Sequence, residues 1–266
     1  MSAPHILCEV VGAVGHIRLN RPERRNALSN EMKDQMAAAI ARLGADPQVR
    51  AVLITAAGEH FMVGADLGMF RDELEADREG HLAGFEERVL ATATMLGGLR
   101  DMAKPVVLAC QGQTVGFGFC LAALADLVVA ADDVRFILAY CHIALAPDAG
   151  ITWTLPRLVG ERRAKRIAFL GESLDAAKAL DWGFVNEVVP VGELEERGWQ
   201  LARRLAAGAT QSIAASKALL GSSFERDWNG QIRAEAAAIA RTVASDDHRE
   251  GLDAFFEKRK PRFTGR

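Results

Sequence analysis

Residues 106–131 read VVLACQGQTVGFGFCLAALADLVVAA. The short apolar runs at the two ends, 106–110 and 127–130, are typical of buried strands, and residues 116–125 between them predict a helix. Glycines mark the passage from the first strand into this helix. A strand, a helix and a further strand in this order indicate a parallel sheet with crossover helices, in which ligands bind outside the carboxyl ends of the strands.

The same alternation of strands and helices extends towards the N-terminus. Residues 6–10 and 14–19 alternate apolar and polar side chains, and Gly12-Ala13 between them predicts the turn of a hairpin. Asn30 is a candidate cap for a helix that ends near Gly44. The apolar residues that recur every three or four positions along this helix are Met32, Met36, Ala39, Ile40 and Leu43.

Downstream of a further predicted strand at 51–55, the chain becomes rich in glycine and then in charge. This stretch, residues 56–79, is a candidate active-site loop. The long amphipathic helix predicted after it has an apolar stripe of Leu82, Phe85, Val89, Ala93, Leu96 and Leu99. After about residue 148 helical patterns dominate, except for a strand signal at 184–189, so we expect a helical part that shares a core with the α/β part.

The composition excludes several classes of protein. The 266-residue chain has 32 Lys and Arg against 35 Asp and Glu, and it therefore lacks the broad cationic field that nucleic acids or anionic lipids require. The longest apolar run, residues 119–131, contains Asp126 and is too short to span a bilayer, and the N-terminus lacks the basic segment of a secretory signal. We expect no nucleic-acid partner, no membrane attachment and a cytoplasmic location.

Cysteine usage points to a reducing compartment. Cys8, Cys110, Cys120 and Cys141 are far apart in apolar surroundings, and no C-x-x-C pair is present. We expect four buried thiols and no metal site.

Two glycine-containing loops each follow a predicted strand. Residues 58–67 follow the strand at 51–55, and residues 112–118 follow the strand at 106–110 and open a helix whose free N–H groups can face an anion. Two peptide N–H groups that converge from these loops would form an oxyanion hole. The alternative is that the glycines only permit tight turns from strand to helix. No nucleotide fingerprint is present, because Leu121 stands where G-x-G-x-x-G needs its third glycine.

Several motifs, in order and along essentially the whole chain, resemble those of the enoyl-CoA hydratase/isomerase (crotonase) superfamily. They are Asn20-Arg21-Pro22, Asn26-Ala27-Leu28, Gly64-Ala65-Asp66-Leu67, Gly116-Phe117-Gly118 before Leu121-Ala122, Ala125-Asp126, Asp246-Asp247-His248-Arg249-Glu250-Gly251, and Phe256-Glu257-Lys258-Arg259-Lys260-Pro261. The resemblance implies an α/β spiral of strand-strand-helix (ββα) turns over residues 1–200 and a C-terminal helical trimerisation subdomain over 201–266. It also implies a homotrimer or dimer of trimers.

The resemblance further implies an acyl-CoA thioester as the substrate, with coenzyme A as part of that substrate and no separate cofactor. By motif position, the backbone N–H groups of Ala65 and Phe117 would hold the thioester carbonyl. Phe117 stands where the family usually has glycine, so we expect either a reshaped hole or an unusual backbone angle there.

For coenzyme A itself, the family pattern implies contacts in three parts of the chain. These contacts involve Arg24, Arg25 and Ala27, then the loop Val63, Gly64, Ala65, Asp66 and Leu67, and finally Lys258 or Lys260 reaching the CoA of a neighbouring subunit. The arginines could attract the nucleotide phosphates. Alternatively, they are solvated loop charges, and the tail lysines are an ordinary basic helix end.

Typical hydratases of this superfamily carry two glutamates at positions where this chain has Cys120 and Tyr140. Neither side chain replaces a carboxylate, so the usual acid and base for adding water are absent. We expect Cys120 to be a small buried thiol, and Tyr140 to line the acyl pocket with its hydroxyl as a possible donor. Asp148 resembles the catalytic aspartate of several isomerase branches, although an aspartate before a helix is also a typical N-cap.

Several functions stay open at this point. The first is double-bond isomerisation of an enoyl-CoA with Asp148 as the single base. The others are hydration by a rearranged acid/base set, and CoA-thioester binding without catalysis. Less favoured is dehalogenase-like chemistry. Tyr140 stands eight residues before Asp148, as an aromatic residue does in aryl-CoA dehalogenases, but these enzymes use a histidine on the long helix and here His81 lies only at its start. Glu86 or Glu87 could supply a second acid, but such charges usually face solvent.

The acyl group is not specified by the sequence. A set of apolar side chains favours a hydrophobic or aromatic acyl chain, although such residues are more often core than pocket lining. The set is Phe61, Met62, Met69, Phe70, Phe117, Phe119 and Tyr140.

Overall fold

The computed structural model describes residues 3–266, in which nine strands form two sheets. The strands are β1 (Ile6–Val11), β2 (Val14–Leu19), β3 (Ala51–Ala56), β4 (Val106–Cys110), β5 (Gln113–Val115), β6 (Leu127–Ala131), β7 (Arg135–Ile137), β8 (Leu174–Asp175) and β9 (Glu187–Val189).

The same residues contain twelve α-helices, which dominate the second half of the chain. They are α1 (Asn30–Ala45), α2 (Leu67–Ala76), α3 (Arg78–Leu82), α4 (Phe85–Arg100), α5 (Phe117–Leu124), α6 (Ile151–Val159), α7 (Glu161–Leu170), α8 (Ala176–Asp181), α9 (Leu194–Ala206), α10 (Thr210–Gly221), α11 (Trp228–Val243) and α12 (Asp246–Phe256).

The larger sheet has the strand order β1-β2-β3-β4-β6-β9. The hairpin β1–β2 is antiparallel and every other pair in this sheet is parallel, as the alternation of strands and helices predicts. The smaller sheet has the order β5-β7-β8. Two strands that follow each other in the chain therefore belong to different sheets: β4 and β6 lie in the larger sheet, and β5 and β7, which follow them, lie in the smaller one. Each such pair is followed by a helix, which is the predicted strand-strand-helix spiral.

The central strands β3 and β4 are buried along their whole length because both faces of the larger sheet are covered. Their side chains alternate between two apolar clusters. Val52, Ile54 and Leu108 face the main core with α1 and α5, whereas Leu53 and Val107 pack against α9 on the other face. This two-sided burial explains why these strands are continuous apolar runs in the sequence.

Most predicted elements are confirmed with small shifts at their ends. The hairpin, α1, β3, β4, α5 and β6 lie where the patterns place them. The cap of α1 is Ser29, not Asn30, because the Ser29 hydroxyl accepts the hydrogen bond from the Met32 N–H. The strand signal at 184–189 yields only β9, since Phe184 and Val185 are buried outside any strand.

Two predictions about the region before β4 are wrong. Residues 67–76 and 78–82, most of them within the expected loop, form α2 and α3, and the long helix expected from residue 82 begins at Phe85 as α4, after a break. The break lies at Ala83 and Gly84, where Gly84 adopts a left-handed conformation at φ 67°. Leu82, which the amphipathic pattern places on the buried stripe, is half exposed.

The expectation of four buried thiols is half correct. All four cysteines are free, and Cys110 and Cys120 are buried, but Cys8 and Cys141 are partly exposed. Cys8 lies on β1, which is the edge strand of its sheet and is covered on one side only. Of the helices in residues 3–266, none combines the length and the apolar character that a membrane crossing needs.

The C-terminal helices are attached to the α/β part through polar anchors. Lys217 on α10 forms an ion pair with Asp126 (2.7 Å) and donates to the carbonyl oxygen of Leu99. Arg50 donates to the carbonyl oxygens of Gly208 and Phe263. The predicted boundary at residue 200 falls inside α9, which packs on the larger sheet, and the division into two domains stays a prediction.

Candidate active site

Three extended segments lie side by side where the predicted loops meet. The N–H of Leu28 donates to the carbonyl oxygen of Gly64 (2.8 Å), and the N–H of Asp66 donates back to Leu28 (3.2 Å). On the other side, the N–H of Val115 donates to the carbonyl oxygen of Met62 (2.7 Å). The two glycine-containing loops are therefore fixed to each other by backbone hydrogen bonds.

Glycine permits the close approach of these loops. Gly64 has φ +91°, and a Cβ there would lie 3.3 Å from the carbonyl oxygen of Val115 and 3.7 Å from the nitrogen of Phe117. Gly116 has φ +53°, and its Cβ would lie 3.5 Å from the Cα of Gly64. A side chain at either position would separate the peptide groups that follow, those of Ala65 and Phe117.

The N–H groups of Ala65 and Phe117 are free donors. Within residues 3–266, neither donates to a backbone carbonyl oxygen, because Ala65 lies between the paired residues of its bridge and Phe117 is the first residue of α5. Two adjacent unpaired N–H groups, one of them at a helix N-terminus, can stabilise a developing oxyanion.

The expected unusual backbone angle at Phe117 is absent. Its φ is not positive, because Gly116 before it carries the irregular conformation at φ 53° and ψ −111°. The Phe117 ring is 5% exposed and belongs to the main core, while the residue still contributes to the wall of the site. A phenylalanine is thus compatible with a donor at this position.

A cavity of about 790 Å³ opens beside these donors. Its wall combines the two loops with α2, α3, the start of α4 and the segment 139–148. The predicted site residues that line it are Val63, Gly64, Ala65, Asp66, Leu67, Phe117, Tyr140 and Asp148.

Tyr140 and Asp148 are hydrogen-bonded inside this cavity. The Tyr140 hydroxyl donates to Oδ1 of Asp148 at 2.5 Å, and Sγ of Cys120 lies 3.8 Å from the same hydroxyl. Burial, together with the neighbouring Cys120 and Asp148, raises the pKa of Tyr140, so the hydroxyl keeps its proton and acts as a donor. Burial raises the pKa of Cys120 to about 12, which makes this thiol a neutral neighbour.

Comparison with known proteins agrees with this geometry. Residues 9–266 match the family model described as enoyl-CoA hydratase/isomerase. The chain belongs to this family. A 1,2-epoxyphenylacetyl-CoA isomerase of Escherichia coli is 35% identical to it over 98% of both chains. A Rhodobacter capsulatus protein named "probable enoyl-CoA hydratase" is 36% identical over 100% of both.

Solved structures confirm the crotonase-like fold. The crystal structure of an enoyl-CoA hydratase/isomerase from Cupriavidus metallidurans has a TM-score of 0.91 with 31% sequence identity, and the match covers 100% of this chain and 98% of that one. Because the relatives are named both as isomerases and as hydratases, membership of the enoyl-CoA hydratase/isomerase family leaves the reaction open.

In this member of the family, Asp148 does not cap α6. The N-cap of α6 is Gly150, at φ 75°, and no side chain bonds to the free N–H groups of the helix. Ala149 is also left-handed, at φ 56°, so two consecutive residues separate the Asp148 carboxylate from the helix start. The carboxylate is bonded by Tyr140 instead, and the N-cap interpretation is wrong.

Asp66 has a structural role within the loop. Its carboxylate accepts hydrogen bonds from the Met69 N–H, which caps α2, and from the Arg21 guanidinium at 2.9 Å. Burial alone would raise the pKa of Asp66, but these hydrogen bonds and the charges of Arg21 and Arg24 lower it below its ordinary value. The ion pair holds the loop 63–67 against the segment around Arg21.

The predicted CoA contacts outside the loop do not line the cavity. Arg24 and Arg25 are exposed without an ion pair within the described chain, Ala27 is buried, and Lys258 is an exposed residue after the end of α12. Asn26 fixes this segment: its side chain donates to the carbonyl oxygens of Ala57 and His60 and accepts from the Arg21 N–H. The CoA-binding roles of these residues stay predictions.

The apolar residues named from the sequence divide between core and cavity. Phe61, Met62 and Phe119 are fully buried in the core. Those that line the cavity are Met69, Phe70, Phe117 and Tyr140.

Sequence reasoning missed part of the wall. Lys33, Glu73 and Arg88 line the cavity without having been singled out, and His81 lies there as a buried residue of α3. Glu86 and Glu87 are exposed, as expected, and lie outside the cavity wall. No periodic signal identifies this wall, because His81 is the only buried residue of α2 and α3.

Proposed function

We propose that this protein isomerises the carbon–carbon double bond of an enoyl-CoA thioester, with Asp148 as the single proton carrier. The observation that carries the proposal is a carboxylate held by Tyr140 in the same cavity as the two free N–H groups of Ala65 and Phe117. Only one carboxylate is needed when the same group removes and returns a proton.

In the proposed reaction, the thioester oxygen accepts hydrogen bonds from Ala65 and Phe117. Asp148 removes a proton from C2 of a 3-enoyl thioester, and the electron pair moves into a dienolate whose negative charge lies on the thioester oxygen. The two N–H groups stabilise this charge as it develops. Asp148 then returns the proton at C4, which gives the 2-enoyl thioester without gain or loss of atoms.

Tyr140 orients the proposed base. Its hydroxyl bonds Oδ1 of Asp148, which leaves Oδ2 to carry the proton. A hydrogen bond from a neutral donor supports the carboxylate form without neutralising it. Typical hydratases of the family carry two glutamates at the positions of Cys120 and Tyr140. The carboxylates that usually activate the water molecule are therefore absent from these positions.

Coenzyme A is treated as part of the substrate, and the proposed proton transfer requires no separate cofactor. Arg24, Arg25 and Ala27 are proposed to hold it beside the loop Val63–Leu67, since the Val63 N–H donates to the carbonyl oxygen of Arg25. Lys258 is proposed to contribute from a neighbouring subunit.

The test is product analysis by mass spectrometry and NMR after incubation with 3-enoyl-, 2-enoyl- and aryl-CoA thioesters. We expect unchanged mass and a shifted double bond, with kcat lowered by about 10²–10⁴-fold in Asp148→Asn. Glu87→Gln, which removes an exposed carboxylate outside the cavity, is the matched control and should keep normal turnover. Full activity of Asp148→Asn would overturn the proposal.

Hydration is the second candidate, because a relative as similar as the E. coli isomerase is named a hydratase. A product heavier by one water in the same experiment would establish it in place of isomerisation. Tight acyl-CoA binding with no product from any thioester would indicate a binding protein without catalysis.

A further inference from the structure

His81 carries an unpartnered polar atom in the wall of the cavity. Its side chain is 5% exposed, and Nε2 has no hydrogen-bond partner within residues 3–266. The ring packs edge-on against Phe70, with the centroids 4.8 Å apart, and lies 5.6 Å from the Phe85 centroid. Buried polar atoms in native proteins are normally satisfied, so this nitrogen requires a partner that the described residues do not supply.

The other ring nitrogen of His81 faces a carboxylate. Nδ1 lies 3.2 Å from Oε2 of Glu73 on α2. An ionised carboxylate only accepts hydrogen bonds, so this contact favours the tautomer that carries its proton on Nδ1. In that tautomer Nε2 is an acceptor, and it requires a donor.

Arg88, a cationic side chain of the same wall, is engaged elsewhere. Arg88 directs its guanidinium to the carbonyl oxygens of His81 and Ala83 and lies against the ring of Phe85. The other buried side-chain atom without a partner in the described chain is Oγ1 of Thr114, which lies outside the cavity wall. Nε2 is therefore an acceptor without a partner in the described chain, and it lies beside the rings of Phe70 and Phe85 in the cavity wall.

We propose that His81, held by Glu73, binds a hydroxyl group carried by the acyl part of the thioester, so that the protein prefers hydroxylated acyl chains. The hydroxyl donates to Nε2, while the rest of the chain packs against Phe70, Phe85 and Val89. The proposal rests on the acyl-CoA specificity of the proposed function, but not on its chemical step, because Nε2 recognises a group remote from the thioester.

The test is calorimetric binding of saturated acyl-CoA thioesters, which carry no double bond to isomerise. The series has matched lengths and ends in a methyl, a hydroxyl or a methoxy group. At the chain length that reaches His81, we expect the hydroxyl-ended thioester to bind about tenfold more tightly than the other two. Equal affinities at every length would overturn the proposal, and so would a preference for the methoxy end, which can only accept.

Substitutions of His81 and Glu73 test whether the preference for the hydroxyl group arises at these residues. In His81→Phe, which keeps an aromatic ring between Phe70 and Phe85, the ratio of hydroxyl to methyl affinity should fall to about one. Glu73→Ala should lower the same ratio, because it releases the Nδ1 proton, whereas the control Glu75→Ala, on the same helix but outside the cavity wall, should not. A ratio that persists in a folded His81→Phe, judged by circular dichroism, would contradict the proposal.

Isomerase activity is measured separately on 3-enoyl-CoA with the wild-type protein. A hydroxyl preference without isomerisation would reject the proposed reaction and retain the role of His81. Isomerisation without a hydroxyl preference would reject the role of His81 and retain the proposed reaction.

Discussion

At the scale of single residues, the proposed isomerisation depends most on the contact between Tyr140 and Asp148. Tyr140→Phe keeps the partly buried ring and removes only the hydroxyl that bonds Oδ1. Because a hydrogen bond to a charged group is worth about 1.5–3 kcal/mol, we expect kcat for the isomerisation to fall about 10- to 100-fold with KM nearly unchanged. Steady-state kinetics on a 3-enoyl-CoA thioester measure both constants.

The control for this prediction is Cys120→Ala. Sγ of Cys120 lies 3.8 Å from the Tyr140 hydroxyl, a contact too long to orient it strongly, so kcat should change by less than about threefold. If Tyr140→Phe raised KM and left kcat intact, the hydroxyl would be a substrate contact and not a positioning group for Asp148.

At the scale of elements, we expect His16 to make the packing of α9 on the sheet dependent on pH. His16 on β2 is buried, with Nε2 2.8 Å from the Thr55 hydroxyl on β3 and its ring edge-on to Trp199 of α9. Burial lowers the pKa of His16 below 6.5, although Glu9 acts in the opposite direction. The unfolded chain therefore binds the proton more readily than the folded one, and stability is lost as pH falls through about 6.5.

We expect the thermal midpoint of the wild-type protein to fall about 2 °C further between pH 7.5 and pH 5.5 than that of His16→Gln. His248→Gln, at an exposed position of α12, should keep the wild-type dependence. Parallel curves for the wild type and His16→Gln, measured by calorimetry, would rule out this residue as the source.

How far sequence predicts an element depends on whether the element buries an apolar face. Helix α1 buries Met32, Met36 and Leu43 along one stripe. The sequence therefore shows the helical period, and the predicted bounds of this helix are nearly correct. Helices α2 and α3 bury only His81, because they form a cavity wall and not a core. Their charged residues show no apolar period, and the sequence pattern therefore predicts a loop. Motifs in the sequence mark the two glycine-containing loops and Asp148, so their position in one cavity could be predicted. The contact between Glu73 and His81 depends on the angle between two short helices, which no local pattern records.

At the scale of the whole molecule, the C-terminal helices leave apolar side chains uncovered. On α11, Trp228, Ile232, Ile239 and Val243 recur at helical spacing, and each is 44–78% exposed. The expected trimer or dimer of trimers would cover such a stripe, since an exposed apolar surface of this kind favours association. We therefore expect the wild-type protein to sediment as a trimer or hexamer of its 28.7 kDa chain.

The double variant Trp228→Glu/Ile239→Glu places two charges on this stripe and should shift the protein towards monomers in analytical ultracentrifugation, because burying unpaired carboxylates is strongly unfavourable. The control Ala237→Glu adds the same kind of charge at an exposed position of α11. Ala237 is nine residues, or about two and a half helical turns, from Trp228, so it lies on the opposite face and its substitution should leave the assembly intact. Dissociation by both changes would point to general destabilisation of α11. Dissociation by neither would place the subunit contact outside this stripe of α11.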